Sequence, residues 1–183
     1  MKDELLMDEV RNGDVQKLAV LFERYNIKLF NYFLRLSGKR DVSEDLTQDV
    51  FFRVLKYRQT FRGESKFLTW MYSIARNVYV DFYRNNKNDF SLDDQYDKEF
   101  DSAPLPEENV ETDQEKILLH KAMDTLSYEK KEVLILSRFQ GLKYDEISHL
   151  MDCSLSSVKT RVHRAIKDLR KAYTAMSLKG GLS

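Results

Sequence analysis

Between Ser156 and Tyr173 the chain carries six basic side chains (Lys159, Arg161, Arg164, Lys167, Arg170, Lys171) and one acid, Asp168. Val158, Val162, Ala165, Ile166 and Leu169 recur there at spacings of three and four, which predicts a helix with one apolar stripe and cations on its other faces. Ser156, Ser157, Lys159, Thr160, Arg161, His163 and Arg164 fall in its first turns. Donors at the N-terminal end of a basic helix suit base edges and phosphates in a major groove. The unbonded amides there, helped by Ser156 and Ser157, suit a phosphate. Just upstream, Ile147, Leu150 and Met151 predict a short helix, and Asp152-Cys153-Ser154 a turn. The order of short helix, turn and basic helix is that of a helix-turn-helix.

A second constellation runs from Thr60 to Asn77 and beyond. Arg62, Lys66, Arg76, Arg84 and Lys87 are interleaved with Phe61, Trp70, Tyr72, Tyr79, Phe82 and Tyr83, and Asp81 is the only acid between Lys66 and Lys87. Cations with aromatics suit unpaired nucleic acid, whose bases each offer a face to stack. Trp70, Met71, Ile74, Val78 and Phe82 also fit a core stripe, whereas Phe61 is expected to act on nucleic acid. Gly63 permits a tight loop. A third group, Asp45, Gln48, Asp49 and Phe52, can share one helix face, where two carboxylates, an amide and an aromatic make either a protein-docking patch or, as spacing alone favours, a solvated face with a partly buried phenylalanine.

Catalytic constellations are not found: there is no P-loop, no G-x-S-x-G and no dinucleotide fingerprint. His120, His149 and His163 are scattered. His149 and Cys153 have helical ligand spacing, but a turn separates them and no further ligand clusters nearby, so neither metal nor cofactor is expected. The one cysteine, Cys153, reads as a small packed residue, and a chain with no disulfide suits a reducing cytoplasm. The N-terminus, Met1-Lys2-Asp3-Glu4, has no apolar region of a signal peptide, and no run of apolar residues is long enough for a membrane span.

The elements needed to hold these groups are helical. The 183 residues include six glycines and two prolines, Pro104 and Pro106, both in one stretch. Helices are predicted at 4–11, 14–37, 43–57, 66–85, 113–126, 128–139, 144–151 and 156–175. The second has a stripe of Leu18, Leu21, Phe22, Tyr25, Leu29, Phe30, Phe33, Leu34 and Leu36. Asp14 is expected as its N-cap and Gly38 as its end, Asp41 with Glu44 as a capping-box variant, and Ser127 as a further N-cap. Mean hydropathy is −0.56, and 30 basic residues balance 30 acidic ones. The balance hides an asymmetry: from Asp89 to Glu115 there are eleven acids and one base, Lys98, leaving the remainder positive by ten. The expected architecture is therefore all-α: a helical domain at 1–88, an acidic linker at 89–112 and a helix-turn-helix domain at 113–178.

The strings Leu126-Ser127-Tyr128-Glu129-Lys130-Lys131-Glu132-Val133-Leu134, Gly141-Leu142-Lys143-Tyr144-Asp145-Glu146-Ile147 and Ser157-Val158-Lys159-Thr160-Arg161-Val162-His163-Arg164-Ala165 resemble domain four of sigma-70-type factors, nearest the extracytoplasmic-function (ECF) class. Asp45 to Leu55 resembles the sigma helix that docks on the polymerase beta-prime subunit, and Thr60 to Asn77 the segment that recognises and melts the minus-ten element. The resemblance implies promoter DNA and the RNA polymerase core, its beta-prime and beta subunits, as partners, and an anti-sigma protein, often membrane-bound. It implies minus-thirty-five contacts from Lys159, Thr160, Arg161, His163 and Arg164, and one extruded minus-ten base whose edge Asn77 would read. Domain three of larger sigma factors has no room here, and the linker resembles the segment that threads the RNA exit region. No small-molecule substrate and no enzymatic activity are expected. The competing readings are a helix-turn-helix regulator that works without polymerase core, and a nucleic-acid enzyme whose catalytic groups lack a recognisable motif.

Overall fold

The computed structural model describes residues 1–86 and 113–180, so the expected acidic linker and Lys87 lie outside the described residues. These residues fall into two compact units, both helical. The first contains α1 (Asp3–Arg11), α2 (Lys17–Ser37), α3 (Arg40–Lys56), a 3-10 turn (Arg58–Thr60) and α4 (Phe67–Asn85). The second contains α5 (Asp113–Asp124), α6 (Tyr128–Leu134), a π-helical turn (Ile135–Phe139), α7 (Tyr144–Leu150) and α8 (Leu155–Gly180).

Apolar spacing along each helix of the first unit converges on one core. Leu6, Met7 and Val10 of α1, Leu21, Leu29, Tyr32 and Phe33 of α2, Val50 and Val54 of α3, and Met71, Tyr72, Ala75 and Val78 of α4 are all buried. Tyr32 meets Phe33 and Tyr72 edge-on, with ring centroids 5.2 and 5.3 Å apart. Burying each of these rings contributes about 2 kcal/mol, and the edge-on geometry adds to it. From Asn31 to Leu36 α2 is buried on every side, which takes Asn31 and Arg35 into the core. Phe22, expected in the buried stripe, is 41% exposed and rests on Phe51 at 4.8 Å between centroids.

Two expected caps are corrected. Asp14 does not cap α2: residues 13–16 form a turn in which Lys17 N–H donates to Asp14 O at 3.2 Å, and the helix begins at Lys17. Asp41 lies inside the first turn of α3, which starts at Arg40, and Glu44 instead accepts from Arg40 Nε at 3.1 Å. Ser127 stands at the N-cap of α6 as expected, with extended backbone; its carbonyl accepts from Lys131 N–H at 2.9 Å, while its hydroxyl makes no cap bond. Gly38 ends α2 as expected: with φ 71° it turns left-handed and its N–H reaches Leu34 O at 2.9 Å.

In the second unit the single helix expected over 128–139 divides. Gln140 N–H reaches back five residues to Ile135 O at 3.0 Å, and Ser137 Oγ donates to Val133 O at 2.7 Å. The widened turn seats Ile135 and Leu136 fully in the core beside Val133, Ile147, Val158, Val162 and Ala165. Glu132 is buried and accepts from Tyr128 Oη at 2.8 Å, while Lys131 is ion-paired to Asp124. Lys130 Nζ and Asp168 meet at 2.5 Å, tying α6 to α8.

Candidate nucleic-acid and protein interfaces

The helix-turn-helix forms from α7 and α8. Lys143 N–H donates to Glu146 Oε2 at 2.8 Å, closing the first turn of α7. Asp152 takes a left-handed φ of 48°, and Cys153 N–H bonds Ser148 O at 3.0 Å, so the turn is held by backbone. Ser154 then caps α8: its Oγ accepts from Ser157 N–H at 3.1 Å. The sequence signal for this cap is a serine immediately before a helical run, which the expected helix start at Ser156 passes over. The hydroxyls of Ser156 and Ser157 lie 2.9 and 2.8 Å from Ser154 Oγ, so both belong to the cap network.

Val158, Val162 and Ala165 lock α8 into its core. Ser156, Lys159, Thr160, His163 and Arg164 stand exposed on the other side, and Ser157 and Arg161 are half-buried. Arg161 Nη1 lies 4.0 Å from Glu129 Oε2. The residues expected to meet DNA are therefore brought together on the N-terminal part of one helix, with the apolar stripe turned away from them.

In the first unit the segment between the 3-10 turn and α4 forms an exposed loop. Gly63 has φ 73° with open space where a Cβ would stand, so backbone conformation rather than crowding selects glycine. Arg62 and Lys66 are exposed on this loop. On α4, Asn77 and Arg84 are exposed and Arg76 is half-buried. Arg84 Nη2 meets Asp81 Oδ1 at 3.0 Å.

Phe61 is corrected. It is 2% exposed and packs on Trp70 and Phe67 with centroids 5.3 and 6.2 Å away, so its ring supports the loop from beneath and is not offered for stacking. Tyr72 and Tyr79 are likewise core residues. Of the six aromatics expected to interleave with the cations, Tyr83 alone is exposed, and Trp70 and Phe82 are half-buried. Burial also raises the Tyr72 phenol far above its ordinary range.

The third group assembles on α3. Asp45, Gln48 and Phe52 are exposed, Phe52 to 64%, around a half-buried Asp49. Asp49 Oδ2 meets Arg53 Nη2 at 3.1 Å. Leu46, Val50 and Val54 of the same helix face the core, so the exposed phenyl is not a slipped core residue.

Residues 21–88 match the family model for sigma-70 region 2, and residues 116–169 match that for sigma-70, region 4. The RNA polymerase sigma factor YlaC of Bacillus subtilis is 31% identical over 163 residues, covering 84% of this chain and 90% of YlaC. The chain belongs to the sigma-70 family. Within it the ECF class is indicated by relatives such as the ECF RNA polymerase sigma factor SigX of Bacillus subtilis, 30% identical over 167 residues, 85% of this chain and 83% of SigX. The fold is shared with CnrH, solved in complex with the cytosolic domain of CnrY: the TM-score is 0.74 at 18% identity, covering 94% of this chain and 97% of that one. This sigma factor thus carries both promoter-recognition regions of its family, and its function is that of an alternative RNA polymerase sigma factor. A helix-turn-helix regulator independent of polymerase would have no use for region 2, so family membership decides between the two readings. Among the described residues no helix is long and apolar enough to cross a membrane, and no group of three His, Cys, Asp or Glu could hold a metal ion.

Proposed function

We propose that the sigma factor reads the minus-thirty-five element through Lys159, Thr160, Arg161, His163 and Arg164, with Ser156 and Ser157 at the phosphate end of α8. The observation that carries this is the division of α8 into a locked apolar face and an exposed cationic one over its first three turns. Base-edge donors supply discrimination, and the phosphate contacts supply affinity that falls with salt.

In the same reading Arg62, Lys66, Arg76, Asn77 and Arg84 receive the minus-ten element as it opens. Capture of an unstacked base recovers the few kcal/mol that extrusion costs, so opening needs no ATP-driven strand separation and the factor acts by binding, not by catalysis. Asp45, Gln48, Asp49 and Phe52 dock on the polymerase beta-prime subunit, with Phe52 as anchor. The working compartment is the cytoplasm, where polymerase is found. CnrH was solved bound to the cytosolic domain of CnrY, and a comparable anti-sigma partner is proposed for this chain.

Transcription with purified core polymerase on a promoter library tests the assignment and returns the promoter sequence. Charge reversal at both Arg62 and Arg164 is expected to abolish promoter-dependent RNA synthesis. Undiminished synthesis by that variant would overturn it.

A further inference from the structure

The exposed loop 62–66 is held at both ends by one helix that lies outside the sigma-70 region 2 match, which begins at residue 21. At the upstream end Arg11 Nη1 donates to Phe61 O at 2.9 Å, and Gln59 Nε2 donates to Arg11 O at 2.8 Å. At the downstream end Glu4 Oε1 accepts from Phe67 N–H at 3.1 Å. That amide belongs to the first residue of α4, where a helix has no internal partner for it and the macrodipole favours an anion. Lys66, the N-cap residue, makes no side-chain cap, so a glutamate more than sixty residues away serves the start of α4.

The remaining contacts fix α1 itself. Leu6, Met7 and Val10 are buried in the core. Asp3 accepts from Tyr25 Oη and lies 2.6 Å from Arg24 Nη1, anchoring the start of α1 to α2. Tyr25 in turn packs on Phe67 at 5.6 Å between centroids. Between the two pinned ends, residues 62–66 are exposed throughout. Fixed ends with an exposed middle limit the positions that Arg62 and Lys66 can reach.

We propose that Glu4 and Arg11 are positioning residues for promoter opening: α1 clamps the ends of loop 62–66 and sets the register in which Arg62 and Lys66 meet the unpaired minus-ten strand. This rests on the assignment of that loop to the minus-ten element. The clamp touches no DNA; it acts by lowering the entropy that the loop loses when it engages the strand. Glu4 and Arg11 therefore govern opening without governing affinity for core polymerase or for duplex minus-thirty-five DNA.

The experiment uses the full chain with core polymerase. Glu4→Ala combined with Arg11→Met is compared with wild type for permanganate reactivity of the opened strand, core affinity and binding to duplex minus-thirty-five DNA. Opening is expected to fall about tenfold, a part of what the two lost charge-assisted hydrogen bonds are worth, with the two affinities within about twofold. Glu4→Gln keeps an oxygen acceptor for the Phe67 amide and is expected to restore most of the loss. Limited trypsin digestion of the free factor supplies a second readout: cleavage after Arg62 and Lys66 should accelerate in the double variant while sites elsewhere in 1–86 do not. Unchanged opening with Glu4→Ala and Arg11→Met, or accelerated cleavage at every site alike, would overturn the clamp, the second because α1 would then be merely structural. Arg62→Ala with Lys66→Ala separates the two levels. If that variant opens promoters normally, the assignment of the loop fails; if it does not and the α1 variants do, the clamp alone fails.

Discussion

Arg53 joins α3 to α4 through Asp81: its Nη1 lies 3.0 Å from Asp81 Oδ2, while its Nη2 holds Asp49 at 3.1 Å. Asp81 is shared in turn with Arg84 at 3.0 Å. Burial opposes the Arg53 charge, but the hydrogen bonds it donates to Asp81 and Asp49 outweigh it and raise the guanidinium above its ordinary value. One chain of ion pairs thus runs from the face proposed to dock on polymerase to the helix proposed to face melted DNA.

Asp81→Asn is expected to have two opposite effects. The pairs are half-exposed, so their loss should cost no more than about 1 kcal/mol of stability, read as a fall of a few degrees in Tm. Removing the acid also frees Arg84 for phosphate, so open complexes should form more tightly at low salt. The log-log salt slope should steepen by about the increment of one phosphate contact. A slope equal to wild type would show that Arg84 stays away from the backbone.

Phe52→Ala is expected to weaken core polymerase binding by about 2 kcal/mol, or roughly thirtyfold, as truncation of an anchor does. Its ring is 64% exposed in the free factor, so Tm should move by no more than the equivalent of about 0.5 kcal/mol. Fluorescence titration of labelled core with the purified chain measures the first, and thermal melting the second. Wild-type affinity in the variant would remove Phe52 from the docking face.

The helix order, the Gly38 stop, the helix-turn-helix and the exposed faces of α3 and α8 were legible because each is encoded within a few turns of its own helix. Spacing separates Leu46, Val50 and Val54 from Asp45, Gln48 and Phe52, but spacing alone favours a partly buried Phe52, whereas its ring is 64% exposed. Phe61 was misjudged because α4's Phe67 and Trp70 close over it and Arg11, fifty residues earlier, fixes its carbonyl. Local sequence records neither event. Tyr72 was assigned to the DNA face because cations flank it in sequence, yet Tyr32 across the core claims its ring. The π turn was hidden for a different reason: Val133, Leu134, Ile135 and Leu136 form a continuous apolar run, which carries no period to betray a change of pitch. The Glu4 cap on α4 lay beyond reach because capping patterns are sought next to the helix they serve.

Arg35 offers a test through pH. Its side chain is 7% exposed, and burial lowers the guanidinium to about 10, only partly countered by the nearby Tyr72. Its Nη1 donates to Asn31 O at 3.2 Å. The folded chain releases this proton more readily than the unfolded one. From about pH 10 up to the ordinary arginine value the unfolded state therefore holds more protons, and this group's contribution to stability rises with pH. Below that window both states are charged and the desolvation cost stands in full. Arg35→Met, of similar length and without the charge, is expected to raise stability at neutral pH by about 1 kcal/mol. The gain should shrink as pH climbs through the window. Chemical denaturation at neutral pH and near pH 11 checks this. A loss of stability at neutral pH would mean that the guanidinium's hydrogen bonds outweigh its desolvation.

Ser154 separates stability from recognition at the start of α8. Ser154→Ala removes the acceptor for Ser157 N–H and is expected to cost about 1 kcal/mol in the second unit. Ser154→Asp keeps an acceptor at the N-cap and adds an anion where the helix dipole favours one, so thermal stability should be retained or improved. If the N-terminus of α8 approaches a phosphate in the promoter complex, that same anion repels it. Binding to duplex minus-thirty-five DNA should then fall in Ser154→Asp further than in Ser154→Ala, although the aspartate variant is the more stable protein. Affinities that instead follow the order of stability would mean that Ser154 serves only to shape the helix, and that the phosphate contact lies elsewhere on α8.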